Sequence, residues 1–457
     1  FSSILDRIPD YREYMTTGEL STSSGRLAKE HPQTVKLVDL GNSAHGEPIR
    51  CLKIGEGRHN ALVYGFPNPE EPLGGLLLEY FSRKLAENES LLRELDYTWY
   101  MIKCIDPDGA KLNEGYLKGP FTPVHFAKNY YRTPLPLWGE KNFPYRYGDL
   151  DFNNPVPETR ALMKLMDQTS FDFISSLHNM KWGGITWQVS EPCPELYAPL
   201  QQVAKSYKVP PRKRPGAMIA PGIQLAEHFK PVRNHVNAKM AGKRPLQELT
   251  GASTYEYAAL ANPHIFQMVP ECCTWYDVRC WDDRPSDTSM SDLIKYTRQV
   301  SSENNKFLLS IFDKAEPLLK SPSPFLYMIR YTANEVRTPK VAVIEPSPVL
   351  SEKELERPAT VAEKVETEGR ADIYRMFDVG AMIRMLDHQL AQRSDGKSTL
   401  EACRAEVICK LEEWNRIAEK KYEYRSYQLR DLVAVCLGGI LYSTEYVKWK
   451  KTGKGLS

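Results

Sequence analysis

Gly65-Phe66-Pro67-Asn68-Pro69-Glu70-Glu71-Pro72 is the stretch on which the reading of this chain turns. It stands between an apolar run, Asn60-Ala61-Leu62-Val63-Tyr64, that predicts a strand and a Leu-rich segment that predicts a helix. Pro72 suits the first turn of that helix, and Leu73, Leu76, Leu77, Tyr80, Phe81 and Leu85 recur beyond it at helical spacing. A carboxylate at Glu71 on such a strand-to-helix turn is placed to hold a cation. Three residues earlier, where a His would complete a ligand pair, stands Asn68. Glu70 is the weaker candidate, because adjacent side chains on a turn point apart.

Outward from this turn, short runs of Val, Ile, Leu and Tyr bounded by Gly, Asn or Asp predict strands at 35–40, 49–54, 61–64 and 98–105. Residues 1–34 have helix-like spacing. A helix is expected over 157–167, a strand over 171–177 that ends at His178, a strand over 265–269 that leads into Pro270-Glu271, and a long helix over 291–319. Strands alternating with helices predict an α/β fold with a mixed central sheet flanked by helices. In such sheets chemistry collects just beyond strand ends, and Asn68, Glu71, His178 and Glu271 all stand there. After residue 320 the character changes. Ser321-Pro322-Ser323-Pro324 and the Pro-, Ser- and Glu-containing stretch 345–358 read as linkers, and helical patterns follow at 373–392 and 400–420. The expected division is a 1–320 α/β domain and a mainly helical 321–457 extension, which packs on the first or makes a homo-oligomer.

Composition narrows the class. The chain has 457 residues and a net charge of +2 from 60 Lys+Arg against 58 Asp+Glu, too balanced to predict a nucleic-acid partner. The basic run 208–214 is broken by prolines and reads as a solvated loop. No stretch is apolar over the roughly 18 residues of a membrane span, and 432–442 reads as a buried helix. Nine cysteines at irregular spacings do not form a disulfide framework and are expected in a reducing cytoplasm. Cys272, Cys273 and Cys280 match no zinc-knuckle spacing and read as small core residues.

A hydrolytic zinc site needs about three protein ligands, an open position for water and a nearby carboxylate to take the water's proton. His178 alone carries little weight, since a lone His is as often structural. Its company gives it weight. In order and spacing the chain resembles the M14 zinc carboxypeptidases, the carboxypeptidase A-like peptidases. Their first two ligands lie in a His-x-x-Glu turn after a strand, here Asn68-Pro69-Glu70-Glu71, and their third is a strand-end His, here His178, 107 positions after Glu71. Asp106-Pro107-Asp108-Gly109 is similar to a turn common in that family, and so is the segment 40–49. The resemblance spans about residues 1–320. It implies zinc (Zn2+) held by Glu71, His178 and Asn68, with Glu271 as general base. It implies Arg132, in Lys128-Asn129-Tyr130-Tyr131-Arg132, as the group for substrate carboxylate or oxyanion; a plain ion pair is the alternative for that residue.

Two departures shape the functional expectation. Asn68 replaces a His, and an amide oxygen is a poorer zinc donor than imidazole. The family's mobile Tyr is not found in 246–251; Tyr255 and Tyr257 are nearby but at other offsets. The expected activity is hydrolysis of an amide or peptide bond near a terminal carboxylate. The insertion 191–243 reshapes the pocket mouth, so the substrate is a peptide or small amide of an unusual kind. A pseudo-peptidase serving as a binding module, or a biosynthetic enzyme processing a small-molecule amide, are the other readings.

Overall fold

Fourteen strands are named here in chain order in the computed structural model, which describes residues 1–147, 150–212, 218–240, 249–338, 350–392 and 396–453. They are β1 (Val35–Asn42), β2 (Pro48–Ile54), β3 (His59–Gly65), β4 (Tyr97–Ile102), β5 (Tyr145–Tyr147), β6 (Leu150–Phe152) and β7 (Phe173–Trp182). There follow β8 (Ile185–Val189), β9 (Met218–Ala220), β10 (Ile223–Leu225), β11 (Phe266–Asp277), β12 (Pro285–Ser289), β13 (Pro358–Thr360) and β14 (Tyr424–Ser426). Ten of them make one sheet in the order β1-β2-β4-β3-β7-β11-β8-β10-β9, with β14 paired to β11. The middle, β4-β3-β7-β11, is parallel, and the flanks are mixed with antiparallel pairs. Those middle strands are buried along almost their whole length, as parallel strands covered on both faces must be. The fold class read from the sequence, α/β with a mixed sheet flanked by helices, is the one observed.

The helix after the opening turn runs Leu73–Glu87 behind an N-cap at Pro72, and the expected helix at 157 runs Pro157–Met166. Two expectations need correction. His178 and Glu271 do not stand beyond strand ends; they lie inside β7 and β11, which continue to residues 182 and 277. Pro270 has no N–H to give to a ladder. The β7–β11 ladder is indeed interrupted between Gln267 and Glu271, but Pro270 stays paired with Trp187 of β8, and the strand resumes beside His178.

The division expected at residue 320 does not coincide with a gap in the core. One apolar cluster runs from Leu5 to Val447. The last helix, Leu429–Thr452, packs under the sheet: Tyr97 donates to the Thr444 carbonyl at 3.0 Å and the Phe266 and Tyr446 rings lie 5.1 Å apart. Between β11 and that helix, Met290–Ala315, Pro324–Arg337, Val361–Gln392 and Lys397–Lys421 pack together as a helical module. Buried Asp372 pins it, accepting from Tyr296 (2.7 Å), Tyr422 (2.6 Å) and Lys421 (3.1 Å) and pairing with Arg375 at 2.9 Å. The helix Val361–Gln392 then closes over the end of β7, where the Trp182 indole donates to the Val365 carbonyl and the Lys181 backbone N–H to the Tyr374 hydroxyl. Residues 213–214 of the basic run, 213–217 and 241–243 of the insertion, 246–248 before Gly251, 345–349 of the linker and 454–457 lie outside the described residues.

Candidate metal centre

The turn after β3 is held from three sides. Phe66, buried and at φ +54°, takes a left-handed conformation that a bulky residue keeps only when its surroundings enforce it. The Trp138 indole donates to the Pro67 carbonyl at 2.9 Å, and the Tyr116 hydroxyl and Lys181 ammonium both donate to the Glu70 carbonyl, at 2.5 and 2.7 Å. Underneath, Gly109 of the Asp106–Gly109 turn meets the Pro69 ring so closely that a Cβ there would stand 2.7 Å from it. The same turn anchors the Arg132 segment, because the Thr133 hydroxyl donates to Asp106 at 2.8 Å.

Three of the sequence-predicted residues converge on this fixed backbone. His178 Nδ1 lies 2.8 Å from Glu71 Oε2, and Asn68 Nδ2 lies 2.9 Å from Glu71 Oε1 and 3.2 Å from His178 Nδ1. Glu271 stands directly opposite His178 in the β7–β11 register, so the two side chains leave the same face of the sheet. There Gln188 Nε2 donates to Glu271 Oε1 at 2.8 Å. Arg132 is drawn in by the neighbouring carboxylate: its guanidinium pairs with Glu70 Oε1 at 2.7 Å and lies over the Trp138 ring. Glu70 therefore faces Arg132 and Glu71 faces His178, the divergence expected of adjacent turn residues.

The residue that the sequence reading missed is Glu140, in the one-turn helix Gly139–Lys141. Its Oε2 lies 3.0 Å from His178 Nε2, and its Oε1 accepts from Tyr64 at 2.5 Å. No periodicity marks it, since it sits in a loop rich in Pro and Gly. Buried Lys181 was also missed, although a lysine inside an apolar strand is a legible oddity. Burial disfavours a charged ring at His178, but Glu71 and Glu140 outweigh it and push its pKa well above the usual imidazole range. Burial likewise opposes ionisation of Glu140, yet His178 and Tyr64 bring it down to about 2. Glu71 is lowered in the same way by His178. Glu70 is raised by burial against the pull of Arg132, and Lys181 is lowered to about 8 by burial against the pull of Glu71 and Glu70.

The donor set at this point falls short of the three His, Asp or Glu ligands of an ordinary zinc site. Among the described residues no group of three or more His, Cys, Asp or Glu could hold a metal ion. The converging atoms are one imidazole nitrogen, one carboxylate and an amide. Glu140 serves the far ring nitrogen, Nε2, and leaves Nδ1 facing Glu71 and Asn68. Asn68 Oδ1 is buried without a hydrogen-bond partner. A half-turn of that amide would exchange Nδ2 for Oδ1 beside Glu71 Oε1 and His178 Nδ1.

Comparison with known proteins agrees with the resemblance read from the sequence. Residues 22–237 match the family model described as zinc carboxypeptidase, a stretch that contains Asn68, Glu71, Arg132, Glu140 and His178 and stops short of Glu271. The chain is 29% identical over 105 residues to zinc carboxypeptidase A 1 of Anopheles gambiae, covering 22% of this chain and 24% of that protein. It is 30% identical over 102 residues to a zinc carboxypeptidase of Simulium vittatum, covering 21% of this chain and 34% of that one. The chain thus spans about a quarter to a third of the length of these curated relatives. Among solved structures, carboxypeptidase A of Helicoverpa armigera matches with a TM-score of 0.39 at 14% identity, over 59% of this chain and 68% of its own. Bovine thrombin-activatable fibrinolysis inhibitor, solved in complex with tick carboxypeptidase inhibitor, matches with a TM-score of 0.35 at 12% identity, over 57% and 86%.

Proposed function

We propose that this chain, matched by the zinc carboxypeptidase family over residues 22–237, is a zinc-dependent hydrolase of an amide or peptide bond near a terminal carboxylate. The observation that carries the reading is the convergence of Asn68, Glu71 and His178 with Glu140 behind the ring. In this reading His178 Nδ1, Glu71 and the turned Asn68 amide hold zinc. Zinc bound there would supply Lewis-acid polarisation of water and of the scissile carbonyl. Glu271 takes the proton of the attacking water at its carboxylate and passes it to the leaving amine. Arg132, exchanging Glu70 for substrate, binds the terminal carboxylate or the developing oxyanion. In this reading the substrate is a peptide or small amide with a terminal carboxylate. Among the described residues no helix is long and apolar enough to cross a membrane.

The test is elemental analysis of protein purified without chelator and then supplied with zinc, beside Asn68→His and Glu271→Gln. Zinc in the wild type, with turnover of a C-terminal amide substrate that Glu271→Gln abolishes while zinc is kept, is the expected result. One observation favours a second reading, a metal-free binding module: Asn68 Nδ2 already bonds Glu71 and faces His178, so the ligand residues satisfy one another. Zinc held by Asn68→His and refused by the wild type would select that reading.

A further inference from the structure

On the opposite face of β11 from Glu271, the next residue in the strand meets the last helix. Cys272 and Cys436 are both buried, and their sulfurs lie 3.0 Å apart. That is inside the roughly 3.5–4.0 Å of an ordinary non-bonded contact and about 1 Å beyond a disulfide bond length. Cys272 Sγ also faces the Leu432 carbonyl, one helical turn before Cys436, so the thiol looks along the helix face that carries its partner. Cys273 points to the other face, into the surroundings of Arg212 and Glu366. Among the described residues no other two thiols are hydrogen-bonded to each other. The sequence reading took Cys272 as core filling; the geometry gives it a partner 164 positions away.

We propose that Cys272 and Cys436 are a disulfide-forming pair that ties the strand bearing Glu271 to the last helix. A small-molecule disulfide such as glutathione disulfide is the oxidant. One cysteine thiolate attacks it, releasing one thiol and leaving a mixed disulfide, and the second cysteine displaces the other thiol. The S–S bond forms, two protons leave the protein thiols, and the oxidant is reduced to two thiols. The bridge encloses the whole helical module, residues 290–421, in a covalent loop. Burial, together with the neighbouring thiol, pushes the Cys272 thiol well above its usual range, which slows attack in the folded state. The bridge therefore closes while the chain folds or while the last helix is open, and resists reductant once the helix is seated. None of this depends on the hydrolase reading, because the pair lies on the face away from His178.

The experiment uses the full-length protein, reduced and then held with glutathione disulfide just below its unfolding temperature. It is alkylated in denaturant without reductant, digested and mapped by mass spectrometry. The expected product is the Cys272 peptide joined to the Cys436 peptide, lighter by about 2 Da than the sum of the two thiol peptides. Cys273→Ser is expected to keep the link and Cys436→Ser to lose it; the wild-type map needs neither variant to fold. Exposed Cys409 reports that the oxidant has acted. Modified Cys409 with Cys272 and Cys436 both alkylated, or each capped separately by glutathione, overturns the proposal.

Discussion

Asn68 and Glu140 touch the same imidazole from opposite sides, and under the proposed zinc reading their effects on metal affinity can be separated. Glu140 holds His178 Nε2 at 3.0 Å, so Glu140→Gln keeps the shape and removes the charge that makes Nδ1 a strong donor. Zinc affinity is expected to fall roughly 10- to 100-fold, the usual cost of losing a carboxylate behind a ligand histidine. Competition against a fluorescent chelator measures it. Asn68→His replaces an amide with an imidazole at the convergence point, and affinity is expected to rise at least ~10-fold, given the preference of zinc for nitrogen over amide oxygen. Glu140→Gln in the Asn68→His background should lose the same factor as in the wild type if the two residues serve one ring. Asn68 and Glu71 were legible in the sequence because a strand-to-helix turn flags them, and His178 because its spacing from that turn does, although it lies inside β7 rather than at its end. Glu140 was not, because it reaches the site through a one-turn helix whose placement depends on Thr159 and Tyr64 contacts far along the chain.

At the scale of elements, Glu158 shows where local reading fails. An acid in the first turn of Pro157–Met166 suits the helix dipole. In the fold that turn is buried, and desolvation, with Asp106 and Asp108 nearby, pushes the Glu158 carboxyl up to about 7. An acid raised from 4.5 in the unfolded chain favours its neutral form when folded, so its stabilising contribution is present below about pH 4.5 and is lost as pH rises through about 7. Glu158→Gln is therefore expected to raise the melting temperature at pH 8, by on the order of 1–2 kcal/mol of stability, and to change little at pH 5. A melting curve at each pH checks it; an equal shift at both would refute the assignment. Helix packing offers a second case. Gly380 of Val361–Gln392 meets the helix Pro123–Asn129 so closely that a Cβ would stand 1.9 Å from the Ala127 carbonyl oxygen. Backbone cannot move aside cheaply, so Gly380→Ala is expected to cost about 1–3 kcal/mol or more by denaturant titration. Strands β1, β2, β3, β4, β7 and the start of β11 were legible from apolar runs, while β8, buried at every position, was not read. The length of β11 was not, because its continuation past Pro270 is set by partners on either side, β7, β8 and then β14, rather than by its own residues.

For the molecule as a whole, helical periodicity in the last third of the chain announced helices without saying what their apolar faces would meet. Proline and serine near residue 322 suggested a linker, yet Ser323 is the N-cap of Pro324–Arg337 and the core continues past it. The consequence is a prediction about where the fold can be cut. A chain ending at residue 320 would lack β14 and the last helix, and with it the buried side chains of Leu432, Val433, Val435, Leu437, Ile440, Leu441 and Val447. Each such aliphatic side chain stabilises by about 1.5–3 kcal/mol when fully buried. A whole domain is stable by only about 5–15 kcal/mol, so the deficit reaches or exceeds what the remaining chain can spare. Its loss would also uncover Trp187, Phe266 and Tyr97, which pack against that helix or bond to it. The 1–320 chain is expected to give no cooperative melting transition and to bind an apolar dye, while the full chain melts as a unit. Limited proteolysis tests the same point from the other direction: a protease-resistant fragment ending near residue 320 that keeps a sharp transition would show that the first 320 residues carry a core sufficient for themselves.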